Sequence, residues 1–217
     1  MRANAGPLPV QLRFHTGLTG AEYVTRRGWL LASLPHCPVH GPDGKCSFAG
    51  HGTYGRKTPP GTRIARWYCR EAHQTFSLLP DFLAARFPGT LHAIEEVVAA
   101  VEQGPSLEKA ADRLGSADIT LSSAVRWVRR RVSRVRQLLS SVIELFPQRL
   151  GGCMPRLASL RKCLGCNGVL VMLRDVAEVH LQKLAPPLGF KHPRHAGADR
   201  QRRFQQHTGL DPPPKPA

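Results

Sequence analysis

Residues 35–76 are poor in large apolar side chains, yet they carry two close pairs of metal-binding side chains. Cys37-Pro-Val-His40 and Cys69-Arg-Glu-Ala-His73 are separated by 28 residues, and Cys46 lies between them at the end of Gly-Pro-Asp-Gly-Lys. A stretch that cannot close a hydrophobic core needs another staple, and zinc supplies one. It favours four tetrahedral sulfur and nitrogen ligands, which two knuckles on separate turns can deliver. Cys37, His40, Cys69 and His73 are the first candidates. Cys46 is a fifth, able to displace His40 or His73, and the spacing leaves the choice open. A closed four-ligand site has no open coordination position, so the single zinc expected here is structural rather than catalytic.

Compartment and partner follow from charge and cysteine usage. The 217 residues include 31 Lys and Arg against 15 Asp and Glu, a formal charge of +16, which points to a polyanionic partner and first to nucleic acid. No apolar run reaches the roughly 18 residues that a spanning helix needs. The N-terminal Met-Arg-Ala-Asn-Ala-Gly-Pro lacks the apolar core of an export signal. The expectation is a cytoplasmic, nucleoid-associated protein with no membrane partner, whose 6 cysteines are metal ligands or reduced thiols.

Downstream of Pro88-Gly89 the pattern turns helical. Leu91, Ile94, Val98 and Val101 recur at helical spacing up to Gly104-Pro105. Ser106 is a suitable N-cap for a helix carrying Leu107, Ala110, Ala111 and Leu114. After Gly115-Ser-Ala-Asp-Ile-Thr120 comes the longest stripe: Leu121, Val125, Val128, Val132, Val135, Leu139, Val142 and Phe146. Further helices are expected over about 78–86 and about 169–184. Cys163-Leu-Gly-Cys166 has knuckle spacing, with Cys153 upstream. With no fourth ligand close by, these three read as buried thiols.

The charges of the third helix are segregated. Arg126, Arg129, Arg130, Arg131, Arg134 and Arg136 fall within eleven residues that hold no acid. Arg126, Arg130 and Arg134 stand at i, i+4 and i+8, opposite the valine stripe, so the stripe can pack inward while guanidinium groups face a phosphate or a guanine edge. The bland alternative is a solvated basic face. Trp127 lies at the border and is expected to pack on a neighbouring helix. The stripe outruns what two short helices cover, so its distal part, Leu139 to Phe146, is expected to form a homodimer or to dock on the C-terminal helix.

The order Cys37-Pro-Val-His40, His51-Gly-Thr-Tyr-Gly-Arg56, Arg66-Trp-Tyr-Cys69 and Thr75-Phe-Ser-Leu-Leu-Pro80 resembles the N-terminal zinc ribbon of bacterial insertion-sequence transposases and their stand-alone relatives. Ser106 to Trp127 is similar to the helix-turn-helix that follows it there. The resemblance covers about residues 35–136. It departs from the pattern in having His at the second position of both knuckles and in the extra Cys46. It implies binding to DNA at element ends or operator-like sites. An acid-triad nuclease is not evident: after Gly151 the only acids are Asp175, Glu178, Asp199 and Asp211, with no strand pattern around them. No nucleophile motif or phosphate-binding loop appears either, so neither an enzyme nor a small-molecule substrate is expected.

Together these readings give a mainly α protein. Residues 1–34 are unassigned, 35–87 form a zinc ribbon of short strands, 90–150 a helix-turn-helix-like DNA-binding domain, 151–185 a helical segment and 186–217 a disordered basic tail. The expected partner is duplex DNA. The alternatives are an RNA-binding zinc protein and an interaction module that recruits a separate transposase.

Overall fold

The computed structural model describes residues 11–114 and 121–191. The expected turn at residues 115–120 and most of the expected tail, 192–217, lie outside the described residues.

Chain order begins with β1 (Gln11–Phe14) and α1 (Gly20–Thr25), followed by β2 (Phe48–Gly55), β3 (Arg63–Cys69) and β4 (Gln74–Pro80). Six helices come next: α2 (Leu91–Gln103), α3 (Leu107–Leu114), α4 (Leu121–Leu145), α5 (Pro147–Leu150), α6 (Leu157–Leu164) and α7 (Val169–Val176). The strands form one sheet in the order β1-β4-β3-β2. Its two hairpins are antiparallel and β1 lies parallel to β4. Among the described residues, a four-stranded mixed sheet with 44% helix and 17% strand makes this an α/β mixture and overturns the expectation of a mainly α chain with a short ribbon.

Two segments account for the difference. Residues 11–14 are too short to register as a strand by periodicity, and they become one only by pairing Gln11–Phe14 with Ser77–Pro80. Residues 78–86 read as a helix because Leu78, Leu79, Leu83, Ala84 and Ala85 are apolar. In the fold, β4 runs to Pro80, and the groups after it bond tertiary partners instead of one another. Ala84 N–H donates to the Gly89 carbonyl, Ala85 N–H to that of Pro187, and Leu83 bridges Thr90.

Both faces of the sheet are covered, as consecutive buried residues show, since alternate side chains leave a strand on opposite sides. Ile64 and Leu79 join the main apolar cluster with the helices, whereas their neighbours Ala65 and Leu78 pack with Ala32, Leu12, Phe14 and Leu34. The main cluster continues through Leu91, Ile94 and Val98 of α2 and Val128, Val132, Val135, Leu139 and Val142 of α4. It ends at Leu173, Leu184, Leu188 and Phe190. The distal stripe of α4 is thus buried within the chain itself. Burial of Leu188 and Phe190 also corrects the expected start of the tail, because residues 186–190 belong to the core.

The C-terminal part is tied down by polar groups that the sequence did not advertise. The expected helix over 169–184 is divided, with α7 ending at Val176 and a tight 3₁₀ turn following at Glu178–His180. Glu95, buried in α2, accepts the first N–H groups of α7, from Val169 and Leu170, and pairs with Arg161 at 2.9 Å. Glu102, two turns on, accepts Leu157 and Ala158 N–H at the start of α6. Carboxylates there satisfy orphan donors and meet the positive end of the helix dipole. Arg174 is fully buried and donates to the carbonyls of Asp81, Leu83, Pro187 and Leu188, fastening the end of the sheet to the last core residues.

Candidate metal centre and arginine face

Cys37, His40, Cys46 and Cys69 converge at one end of the sheet, with their ligand atoms all within 4.8 Å of one another. Cys37 and His40 sit on a tight turn: Gly41 N–H donates to the Cys37 carbonyl at 2.8 Å, and Gly41 takes a positive φ of 70°. Gly44 is required beneath it, since a Cβ there would stand 2.3 Å from the Cβ of His40. Cys69 ends β3, and Cys46 stands two positions before β2, so the β2–β3 pairing of Phe48 with Cys69 brings these two thiols to the same place. Glu71 holds the approach by accepting Ser47 N–H through both oxygens at 3.0 and 2.9 Å.

The spacing suits a tetrahedral ion. His40 Nδ1 lies 3.4 Å from the sulfurs of both Cys37 and Cys69. Ligands about 2.0–2.3 Å from a central zinc would stand about 3.5–3.8 Å apart. Burial raises the Cys37 thiol, but the N–H groups of His40 and Val39, then the side chains of His40 and Cys69, bring it down to about 7. Burial, with the Cys37 and Cys69 thiols beside it, pushes Cys46 up to about 12. A cation at the centre would resolve that crowding by holding the sulfurs as thiolates. Around the cluster, Phe76, Phe48 and Trp67 form a small aromatic shelf, with Phe48 and Trp67 stacked at 5.2 Å.

Of the five candidate ligands, then, four come together and Cys46 takes the place of His73. His73 occupies the β3–β4 turn with a φ of 48°, exposed and outside the group. The later cysteines form no comparable cluster among the described residues. Cys153 and Cys163 are neighbours, and a hydrogen bond donated to Cys163, followed by burial, pushes the Cys153 thiol up to about 11. Cys163 is exposed and Cys153 and Cys166 are half-buried, so none of the three is the buried thiol expected.

The second candidate surface is the outer face of α4. Its buried side carries Ala124, Val128, Val132, Val135, Leu138, Leu139 and Val142, while Arg126, Arg129, Arg130, Arg134 and Arg136 are exposed. Between Arg126 and Arg136 the helix rises about 15 Å. Arg131 departs from the row. It is only 7% exposed, and its guanidinium lies over the Trp127 ring, 3.5 Å from the centroid. Burial, and then Arg130 alongside, lowers its pKa to about 10. Trp127 itself remains 41% exposed.

Trp127 and Arg131 line a groove of about 420 Å³ between α4 and residues 86–88. Arg86 reaches the same groove from a left-handed backbone conformation with a φ of 57°. Arg56 fixes this connection by donating to the carbonyls of Ala84 and Phe87. Nothing in the sequence separates Arg86 from the other basic residues, because only the tertiary fold brings it to α4.

No helix among the described residues is long and apolar enough to cross a membrane. Comparison of the chain with protein-family models, curated proteins and solved structures gave no match.

Proposed function

We propose that this chain is a zinc-stabilised DNA-binding protein that grips duplex DNA with the arginine row of α4. The observation that carries this reading is the division of that helix: one face is buried in the core, and five exposed arginines on the other have no ion-pair partner among the described residues. Five guanidinium groups over about 15 Å are one per roughly 3–4 Å of helix rise, comparable with the one phosphate per about 3.4 Å of axis along a single DNA strand. The packing of α3 against α4 is compatible with a helix-turn-helix-like pair, in keeping with the likeness to transposase recognition modules.

Zinc is the metal that suits the cluster at the sheet end. Three sulfurs and one imidazole nitrogen form a soft donor set that fills a tetrahedron without leaving a vacant position. Its role in this reading is structural: it fixes the end of the sheet, which in turn supports the helices. No catalytic step is assigned to it.

Fluorescence anisotropy with a labelled duplex across a salt series tests the reading. With five phosphate contacts, the slope of log K against log salt is expected near about −4.5. Changing Arg126 and Arg130 together to Ala should weaken binding at least about tenfold, whereas Arg26→Ala, on a different surface, should change it less than about twofold. Equal effects of the two would remove α4 from the interface. Tighter binding of single-stranded RNA than of duplex would favour RNA as the partner, and absence of nucleic-acid affinity would favour the recruitment module.

A further inference from the structure

The groove beside α4 differs from the exposed arginine row in having aromatic walls. We infer that it seats an unpaired nucleotide of the bound nucleic acid, with the base against Trp127 and Phe87 and the phosphate among Arg86, Arg126, Arg130 and Arg131; this rests on the DNA-binding reading. Three observations converge on it. The groove is lined by four arginines and no carboxylate, so an anion entering it meets only positive charge. Arg131 is buried without an ion-pair partner among the described residues, its guanidinium held against the indole ring. Because Arg131 also lines the groove, its guanidinium can meet an incoming phosphate without leaving the indole. Arg86 adopts left-handed backbone geometry, which is unfavourable for a non-glycine residue. That conformation is secured by Arg56 beneath it, so the guanidinium is supplied by a fixed connection rather than a loose loop.

The aromatic part sets the ligand class. A site for phosphate alone needs donors and no apolar wall, whereas Phe87 and a Trp127 that remains 41% exposed give a base a surface to lie on. Stacking on aromatic side chains requires a base released from its pair, because a paired base presents only its edge to the groove. The volume of about 420 Å³ falls within the range of ligand sites. The substrate class is therefore a duplex with an unpaired base, as at an end or beside a single-stranded extension.

The test compares the full-length, zinc-loaded protein on a blunt duplex, the same duplex with a three-nucleotide extension, and the isolated single strand. Inorganic phosphate serves as competitor. The extended duplex is expected to bind about tenfold more tightly than the blunt one, the scale of one stacked base. Trp127→Leu should abolish that preference while leaving blunt-duplex affinity within about threefold. Arg86→Gly, which suits the left-handed position, should reduce it too, so the inference stays testable if the tryptophan variant folds poorly. Equal binding of the blunt and extended duplexes by the wild-type protein would overturn the groove assignment while leaving the duplex reading intact. Binding of the single strand with none of the blunt duplex would do the reverse. Phosphate that displaces the extension as effectively as a competing oligonucleotide would show an anion seat alone, and would also overturn it.

Discussion

The cysteine end of the sheet and the helical half of the molecule are ordered by different means. At the sheet end, two cysteines and one phenylalanine make up the buried cluster, with partly buried side chains around them. In the helical half, one apolar cluster runs from Ile64 to Phe190 and buries leucines and valines from α2, α4, α6 and α7. Apolar burial stabilises by about 25 cal/mol per Å², so the helical half can hold itself, while a small shelf around four metal-binding side chains depends on what joins those side chains. A region short of apolar area can still be rigid if ligands converge on it. A region rich in apolar area can leave its other face free for charge.

Removing the proposed zinc is the sharpest way to break that comparison, and has the largest expected effect. Structural zinc sites contribute roughly 10 kcal/mol or more to the folding of the domains that hold them. Chelation, or Cys69→Ser, is therefore expected to expose amide hydrogens over about 37–76 to exchange while those of 124–142 stay protected. Hydrogen exchange read by mass spectrometry distinguishes the outcomes. Equal loss of protection in both regions would show that Ile64 and Leu79, which belong to the helical cluster, bind the two halves into one cooperative unit.

How much of each region was legible follows the same division. The Cys37–His40 pair, the exposed arginines and the α4 stripe are local patterns, and spacing alone finds them. The replacement of His73 by Cys46 is not local. It depends on the β2–β3 pairing that sets Phe48 against Cys69, a register that residue spacing does not encode. Ser106 was recognisable as a cap and does accept Lys109 N–H at 3.2 Å. Glu95 and Glu102 cap helices about 55 to 75 residues away, so nothing beside them in sequence marks that role. The same holds for β1, whose partner lies 66 residues on.

A second test lies where the two halves meet. Arg174 and Arg131 are both buried arginines, but Arg174 is surrounded by four backbone carbonyls, two from residues 81–83 and two from 187–188, whereas Arg131 faces an open groove. Burial first, with Arg13 nearby, lowers the Arg174 pKa to about 9 against the opposing pull of Asp81 and Asp175. Arg174→Met would nearly preserve the volume and take the guanidinium donor from the carbonyls of Asp81, Leu83 and Leu188, while that of Pro187 keeps Ala85 N–H. The expected loss is about 3–5 kcal/mol in denaturant unfolding. Arg131→Met should cost less than about 1 kcal/mol, because it removes a charge that has no carbonyl cage. Similar losses for the two would mean that Arg131 is a structural group and that the groove is a by-product of packing.

A smaller loss than that of Arg174 is expected wholly within the helical half, and it tests whether that half is held by more than its apolar cluster. Glu102 accepts the N–H groups of Leu157 and Ala158 at 3.0 and 3.1 Å, one oxygen for each, at the start of the eight-residue α6. Arg156, the residue before that helix, makes no side-chain cap, so Glu102 supplies from α2 what a local Ser or Asp would usually provide. Glu102→Ala is expected to cost about 1–2 kcal/mol, the scale of a lost cap with its charge–dipole term. Glu102→Gln should recover part of this, because an amide oxygen can still accept one N–H while the negative charge is gone. Neither variant should alter metal stoichiometry at the sheet end, since Glu102 touches none of the four ligands. Unfolding curves with zinc content measured on the same samples separate the cases: a stability loss with bound zinc unchanged keeps the two regions distinct, and a parallel fall in zinc would merge them.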